Sequence, residues 1–257
     1  MAIPHTPIDQ YNRSRFTTPT GGGQTVTHDL YTRGAGAPVV LIQELPGIGE
    51  ETLRLADRLV DGDFEVILPH LFGPVGKTSM GGNLARVFCM RKEFSLFSAN
   101  KSSPIVNWLK ALCNEVRDSR GVPGVGVIGM CLTGNFAISL IGDDSVLAAV
   151  ASQPAMPLHK QDALHMSQAE IAQSRQALDD KGPMLGFRFG EDKACSAKKF
   201  ECIHDTFNED GKERIKLETL PGKGHSVLTL DFVDQEGHPT YEALNSVIEY
   251  FDLNLKQ

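Results

Sequence analysis

Apolar positions along this chain fall into two alternating patterns. Short β-branched or aromatic runs occur at Pro38 to Ile42, Phe64 to Pro69, Val125 to Ile128, Val146 to Ser152, Met184 to Phe189 and Ile215 to Leu220. All six are predicted strands, and the near-continuous apolar character of Pro38 to Ile42 and Val125 to Ile128 predicts coverage on both faces. Between them lie segments with apolar residues three and four apart, which predict amphipathic helices. The first runs near Glu50 to Asp61, with Leu53, Ala56, Leu59 and Val60 on one face and Glu50 and Glu51 in its first turn. Another opens at Pro104 and runs through Trp108, Leu109 and Leu112, so Trp108 is expected in the core. Further helices are predicted through Phe136 to Ile141, Ser167 to Asp180, Lys198 to Phe207 and Thr240 to Leu253. Ahead of all this, Gly21-Gly22-Gly23 is a turn signal and Thr25 to Tyr31 alternates as an edge strand would, giving an opening hairpin before about Gly36. Residues 71–103 fit neither pattern and read as an irregular, site-covering segment. Regular alternation of strand and helix predicts an α/β fold, a mostly parallel twisted sheet with helices on both faces. No repeat or linker interrupts it, so residues 1–257 are expected to form one domain.

Composition narrows the function classes. The 257 residues are 41% hydrophobic, enough for a sizeable core, and the formal charge of −7 with no basic cluster argues against nucleic acid as a partner. Met1 to Tyr11 lacks the apolar centre of a signal peptide, and no apolar run approaches the ~20 residues of a membrane helix. A cytoplasmic protein with no membrane association is expected. Cys89, Cys113, Cys131, Cys195 and Cys202 are odd in number and irregularly spaced, which suggests reduced thiols rather than a disulfide framework or zinc site. The eight histidines show no metal-ligand spacing, so neither metal nor cofactor is expected. Gly124 to Gly129 spells a dinucleotide fingerprint, but its glycines interleave with the strand instead of following it. Gly76-Lys77-Thr78 lacks the upstream glycine of a phosphate loop.

The chemistry-bearing residues cluster at the carboxyl ends of predicted strands, where open α/β sheets carry their sites. Gly129-Met130-Cys131-Leu132-Thr133-Gly134 follows an apolar strand and opens a helix, as a nucleophile elbow does, with Thr133 at the usual final glycine. A sharp turn needs small residues around the nucleophile, and the N–H groups of a helix start favour a thiolate. A single buried cysteine is commonly core filler, so its partners decide the matter. Asp192 and His225 follow later strands, giving the order nucleophile, acid, histidine. In that arrangement Cys131 attacks, His225 carries protons and Asp192 fixes the imidazole. Glu44 stands at a fourth strand end.

Gln43-Glu44, Gly129 to Gly134, Gly190-Glu191-Asp192 and Gly222-Lys223-Gly224-His225-Ser226 resemble the dienelactone hydrolase family across most of the chain after residue 25. The resemblance implies an α/β-hydrolase fold and hydrolysis of a small ester or lactone through a cysteine nucleophile. It further implies that Glu44 holds the resting thiol and takes its proton, and that the backbone N–H groups of Leu45 and Leu132 form the oxyanion hole. Family members acting on dienelactone hold the substrate carboxylate with arginines, one of them four residues after the histidine, where this chain has Thr229. Arg91, or else Arg86, would supply another. The expected substrate is therefore a less charged ester or lactone, handled by a monomer or small homo-oligomer. The alternative is a non-enzymatic protein of this fold in which Cys131 is a redox-sensing thiol.

Overall fold

The structure, a computed structural model, describes residues 4–19, 25–45, 47–76, 104–155, 163–164 and 166–256. Its strands are β1 (Asn12–Pro19), β2 (Thr25–Arg33), β3 (Ala37–Ile42), β4 (Phe64–His70), β5 (Val125–Met130), β6 (Val146–Ser152), β7 (Met184–Phe189) and β8 (Ile215–Leu220). They form one eight-stranded sheet in the order β1-β2-β4-β3-β5-β6-β7-β8. β1 and β2 pair antiparallel, as do β2 and β4, and every later pair is parallel. This is the α/β-hydrolase layout, and it agrees with the α/β class expected from the alternation.

Helices α1 (Glu50–Asp61), α2 (Pro104–Arg120), α3 (Gly134–Leu140), α4 (Gln168–Lys181), α5 (Ala197–Phe207) and α6 (Pro239–Leu255) cover both faces. Side chains of β3 alternate between two cores. Val40 and Ile42 pack with α2 and α3, through residues such as Trp108, Leu112 and Ile138, whereas Val39 and Leu41 pack with α1 and α6, through Leu53, Leu59, Val247 and Phe251. Burial on both faces explains why these strands are apolar runs rather than alternating ones. Trp108 is fully buried, and its indole N–H donates to the Val26 carbonyl at 3.2 Å.

The opening hairpin differs in one respect from its expectation. β2 lies between β1 and β4, so β1 is the edge strand. Only one residue of β2 is buried, Leu30, and most of β1 is exposed, so neither carries the apolar signature of a central strand. The turn glycines Gly21 to Gly23 and most of the 71–103 segment lie outside the described residues. Central strands β3, β5, β6 and β7, with β8 beside them, end on one side of the sheet, and the loops that leave them bring the site together.

Candidate active site

The elbow is built by backbone contacts. Cys131 follows β5 in the left-handed region at φ 55°, a costly conformation for a residue with a Cβ. A short 3-10 turn, Cys131–Thr133, precedes α3. Gly129 permits the turn, since a Cβ there would lie 2.2 Å from the Thr133 carbonyl oxygen. Thr133 does more than fill the usual glycine position. Its hydroxyl accepts from Met130 N–H at 2.9 Å and has the carbonyls of Met130, Gln43 and Ile42 within 3.0, 3.1 and 3.2 Å for its single proton. The elbow is thereby tied to the end of β3. On the opposite side, Ala155 N–H donates to the Cys131 carbonyl at 3.0 Å, and the Asn135 amide bridges the Leu132 and Ala155 carbonyls. A side chain at φ 55° is thus held from both neighbouring strands.

His225 reaches the same place from the loop after β8. Its Nδ1 lies 2.7 Å from Asp192 Oδ2, whose side chain is almost fully buried while the imidazole stays 30% exposed. Burial alone would push the imidazole pKa down. Hydrogen bonds from the ring to the Asp192 carboxylate and the Cys131 thiol, with the charges of both groups, overcome this and raise it to about 10. The structure therefore brings Cys131, His225 and Asp192 together. Cys131 is only partly buried and remains reachable.

The loops carrying the acid and the histidine are braced separately. Asp192 Oδ1 accepts from Ala194 N–H at 2.8 Å. Arg188, buried within β7, donates from Nε to the Cys195 carbonyl and from Nη2 to the Gly190 carbonyl, both at 2.9 Å, and so closes the turn that presents Asp192. Asp231 Oδ2 accepts from the N–H groups of His225 and Ser226 at 2.7 and 2.9 Å. Gly224 lets this loop lie on β7, because a Cβ there would meet the Phe189 ring at 2.6 Å.

Glu44 is buried beside these three residues. One carboxylate oxygen accepts from the Thr229 hydroxyl; the other accepts from Ser226 Oγ at 2.9 Å and Gln153 Nε2 at 3.2 Å. Burial raises its pKa, opposed by the hydroxyls of Thr229 and Ser226, the charge of His225 and the Gln153 amide. Gln153, fully buried after β6 at φ 36°, also accepts from Ser152 Oγ. Gln153, Ser226 and Thr229 as donors to Glu44, and Arg188 as the brace of the Asp192 turn, were not anticipated from the sequence. The signal for Gln153 was present, a polar residue at the carboxyl end of an apolar strand. Leu45 follows Glu44 in the loop leaving β3, and Leu132 follows Cys131 in the 3-10 turn, where a first-turn N–H has no intrahelical acceptor. Gln43 anchors the Leu45 loop by donating to the Phe72 carbonyl at 2.6 Å and accepting from Leu71 N–H at 3.2 Å. Arg86 and Arg91 lie outside the described residues. Among the described residues no group of three or more His, Cys, Asp and Glu could hold a metal ion.

The model of the dienelactone hydrolase family matches residues 30–253. Similar solved structures include a protein of Klebsiella pneumoniae provisionally assigned as a dienelactone hydrolase, at 15% identity and TM-score 0.62, covering 93% of this chain and 98% of that one. An esterase of Pyrococcus furiosus matches at 14% identity and TM-score 0.62, covering 99% and 96%. A cold-adapted esterase from an Arctic intertidal metagenomic library matches at 15% identity and TM-score 0.60, covering 95% and 94%. At such identities the likeness is one of fold. No curated protein sequence matches the chain.

Proposed function

Because the chain belongs to the dienelactone hydrolase family, we propose that it hydrolyses a small carboxylic ester or lactone through a Cys131 acyl-enzyme. The observation carrying this reading is the position of His225, whose Nδ1 lies 2.7 Å from Asp192 Oδ2 and whose ring is close enough to the Cys131 sulfur to feel its charge. Cys131 attacks the carbonyl carbon as a thiolate, and the N–H groups of Leu45 and Leu132 stabilise the resulting oxyanion. Collapse expels the alkoxide, which takes the proton held on His225. Neutral His225 then deprotonates a water that attacks the thioester, releasing the acid and restoring the thiolate and imidazolium. Asp192 fixes the ring orientation and stabilises its charged form.

In this resting arrangement His225 is the proton partner of the sulfur. Glu44 is engaged by Thr229, Ser226 and Gln153, and to receive a proton from the thiol it would have to leave the two hydroxyls. Its resting work in this scheme is to hold the loop that carries His225.

Thr229 bears on the substrate. It stands where a carboxylate-binding arginine would, and its hydroxyl is committed to Glu44. A neutral ester or lactone fits such a site better than an anionic dienelactone.

The test is hydrolysis of a small activated ester such as p-nitrophenyl acetate. Cys131→Ala should abolish turnover while leaving the far-ultraviolet circular dichroism unchanged, and the wild-type protein should accumulate an acyl adduct on the peptide containing Cys131. Unchanged turnover in Cys131→Ala would end the assignment. The same assay with paired neutral and carboxylate-bearing esters should favour the neutral member.

A further inference from the structure

The segment leaving β6 lies against the elbow and is fastened to it through both peptide groups of one residue. Ala155 N–H donates to the Cys131 carbonyl at 3.0 Å, and the Ala155 carbonyl accepts from Asn135 Nδ2 at 3.1 Å. The second proton of that amide goes to the Leu132 carbonyl at 3.2 Å. Gly134 permits the approach, since a Cβ there would lie 3.0 Å from both Pro154 Cα and the Ser152 carbonyl oxygen. At its start the segment is fixed to β7, where Gln153 N–H donates to the Phe187 carbonyl at 2.7 Å. Asn135 is a costly residue for this position. It is 6% exposed, its neighbours Leu132, Phe136 and Ala155 belong to the apolar core, and its Oδ1 is buried with no hydrogen-bond partner among the described residues. Turning the amide over would set Oδ1 against two carbonyl oxygens, so neither orientation satisfies the whole group. A leucine of similar size would leave no such orphan, and stability alone does not account for the amide.

We propose that Asn135 is a positioning residue for the oxyanion hole, holding the β6 exit on the elbow and so aiming the Leu132 N–H; the inference rests on the cysteine-hydrolase reading above. In a trans peptide the C=O and N–H point in opposite directions. Ala155 N–H holds the Cys131 carbonyl on the side of the β6 exit, so the N–H of that same peptide, which belongs to Leu132, is turned to the other side. The peptide on the far side of Leu132 has its carbonyl held by Asn135 itself. Both peptides flanking residue 132 are thereby fixed against a neighbouring strand. Within the 3-10 turn the Gly134 N–H also reaches these two carbonyls, but it moves with the elbow and cannot set the direction of the turn relative to β6. A donor fixed in advance where charge develops stabilises the transition state far more than the bound ester. Losing the clamp should therefore slow the chemistry and spare substrate binding.

The test compares wild type with Asn135→Leu in the full chain. For p-nitrophenyl acetate, kcat should fall about 10-fold or more with KM little changed, because acylation and deacylation both pass through an oxyanion. The inhibition constant of an alkyl trifluoromethyl ketone, to whose carbonyl carbon the Cys131 sulfur adds to give a tetrahedral oxyanion, should rise by a similar factor. Alkylation of Cys131 by iodoacetamide forms no oxyanion and should keep its wild-type rate. The Tm should stay within about 5 °C, since the lost donations are offset by removal of the orphan acceptor. Gly134→Ala, whose methyl displaces the same segment while the Asn135 amide remains, should repeat the pattern, and it decides the matter by the same measurements if Asn135→Leu does not fold. Turnover and ketone affinity equal to wild type, or alkylation slowed as much as turnover, would overturn the proposal and leave the Cys131 mechanism standing. A wild type that neither hydrolyses the ester nor binds the ketone would remove the mechanism and the proposal with it.

Discussion

The Thr133 hydroxyl gives the sharpest test of how this elbow is held. Thr133→Val keeps the shape of a fully buried side chain and removes only its polar atom. Met130 N–H then loses its 2.9 Å acceptor, and the carbonyls of Met130, Gln43 and Ile42 lose a shared donor. An orphaned buried donor costs about 1–3 kcal/mol, and the lost donation adds roughly 1 kcal/mol, so the change should cost about 2–4 kcal/mol. Against a total stability of about 5–15 kcal/mol this is a large fraction, and for a chain of this size it lowers the Tm by roughly 5–15 °C. The same hydroxyl ties the elbow to the segment that carries Glu44 and Leu45. A displacement of ~1 Å between the sulfur and that segment would cost about 10²-fold in rate, so kcat/KM should fall roughly 10- to 100-fold. Thr133→Ser, which retains the hydroxyl, should recover most of both losses. Urea denaturation followed by fluorescence, with activity at matched temperature, measures each. If Thr133→Val stays within about 0.5 kcal/mol of wild type at full activity, the hydroxyl does not brace the elbow and the argument fails.

Two further outcomes follow from the contacts around His225 and Asp192. The His225 imidazole, raised to about 10 despite burial, should remain protonated in the resting protein through neutral pH. Its stabilising effect is full below the unfolded pKa of about 6.5 and is lost as pH rises through about 10. Ring nitrogen shifts recorded by NMR across that window should show it, and Cys131→Ala should bring the midpoint down. A midpoint near the unfolded value in both proteins would refute the pairing. Arg188→Met should leave KM little changed while lowering kcat, move the His225 midpoint through a displaced Asp192, and cost roughly 1–3 kcal/mol in stability. A stability loss with kcat and the His225 titration unaltered would reduce Arg188 to a packing residue.

What the sequence disclosed follows from which forces act locally. Strands β3 to β7 were legible because burial on both faces writes itself into composition, and the strand-end placement of Cys131, Asp192 and His225 because chemistry gathers at strand ends. β1 was legible only as the unbounded first arm of the hairpin, since Asn12 to Thr18 is nearly all polar and is held by pairing with β2 and by Phe16 against Trp108. Arg188 was hidden for the opposite reason: one charge inside the apolar run Met184–Phe189 has no local meaning until the Gly190 and Cys195 carbonyls are brought round it. The Glu44 network joins residues 44, 153, 226 and 229, and no periodicity links positions so far apart.

The backward bend at residue 131 owes nothing to sulfur. Its shape is permitted by a bare Gly129, which leaves room for the Thr133 carbonyl oxygen, and is held by hydrogen bonds on either flank. A hydroxyl in place of the thiol would therefore be presented at the same point with the same aim, and only its reactivity would differ. The scaffold fixes where the side chain at 131 is presented; which atom it carries there is decided by one interchangeable codon.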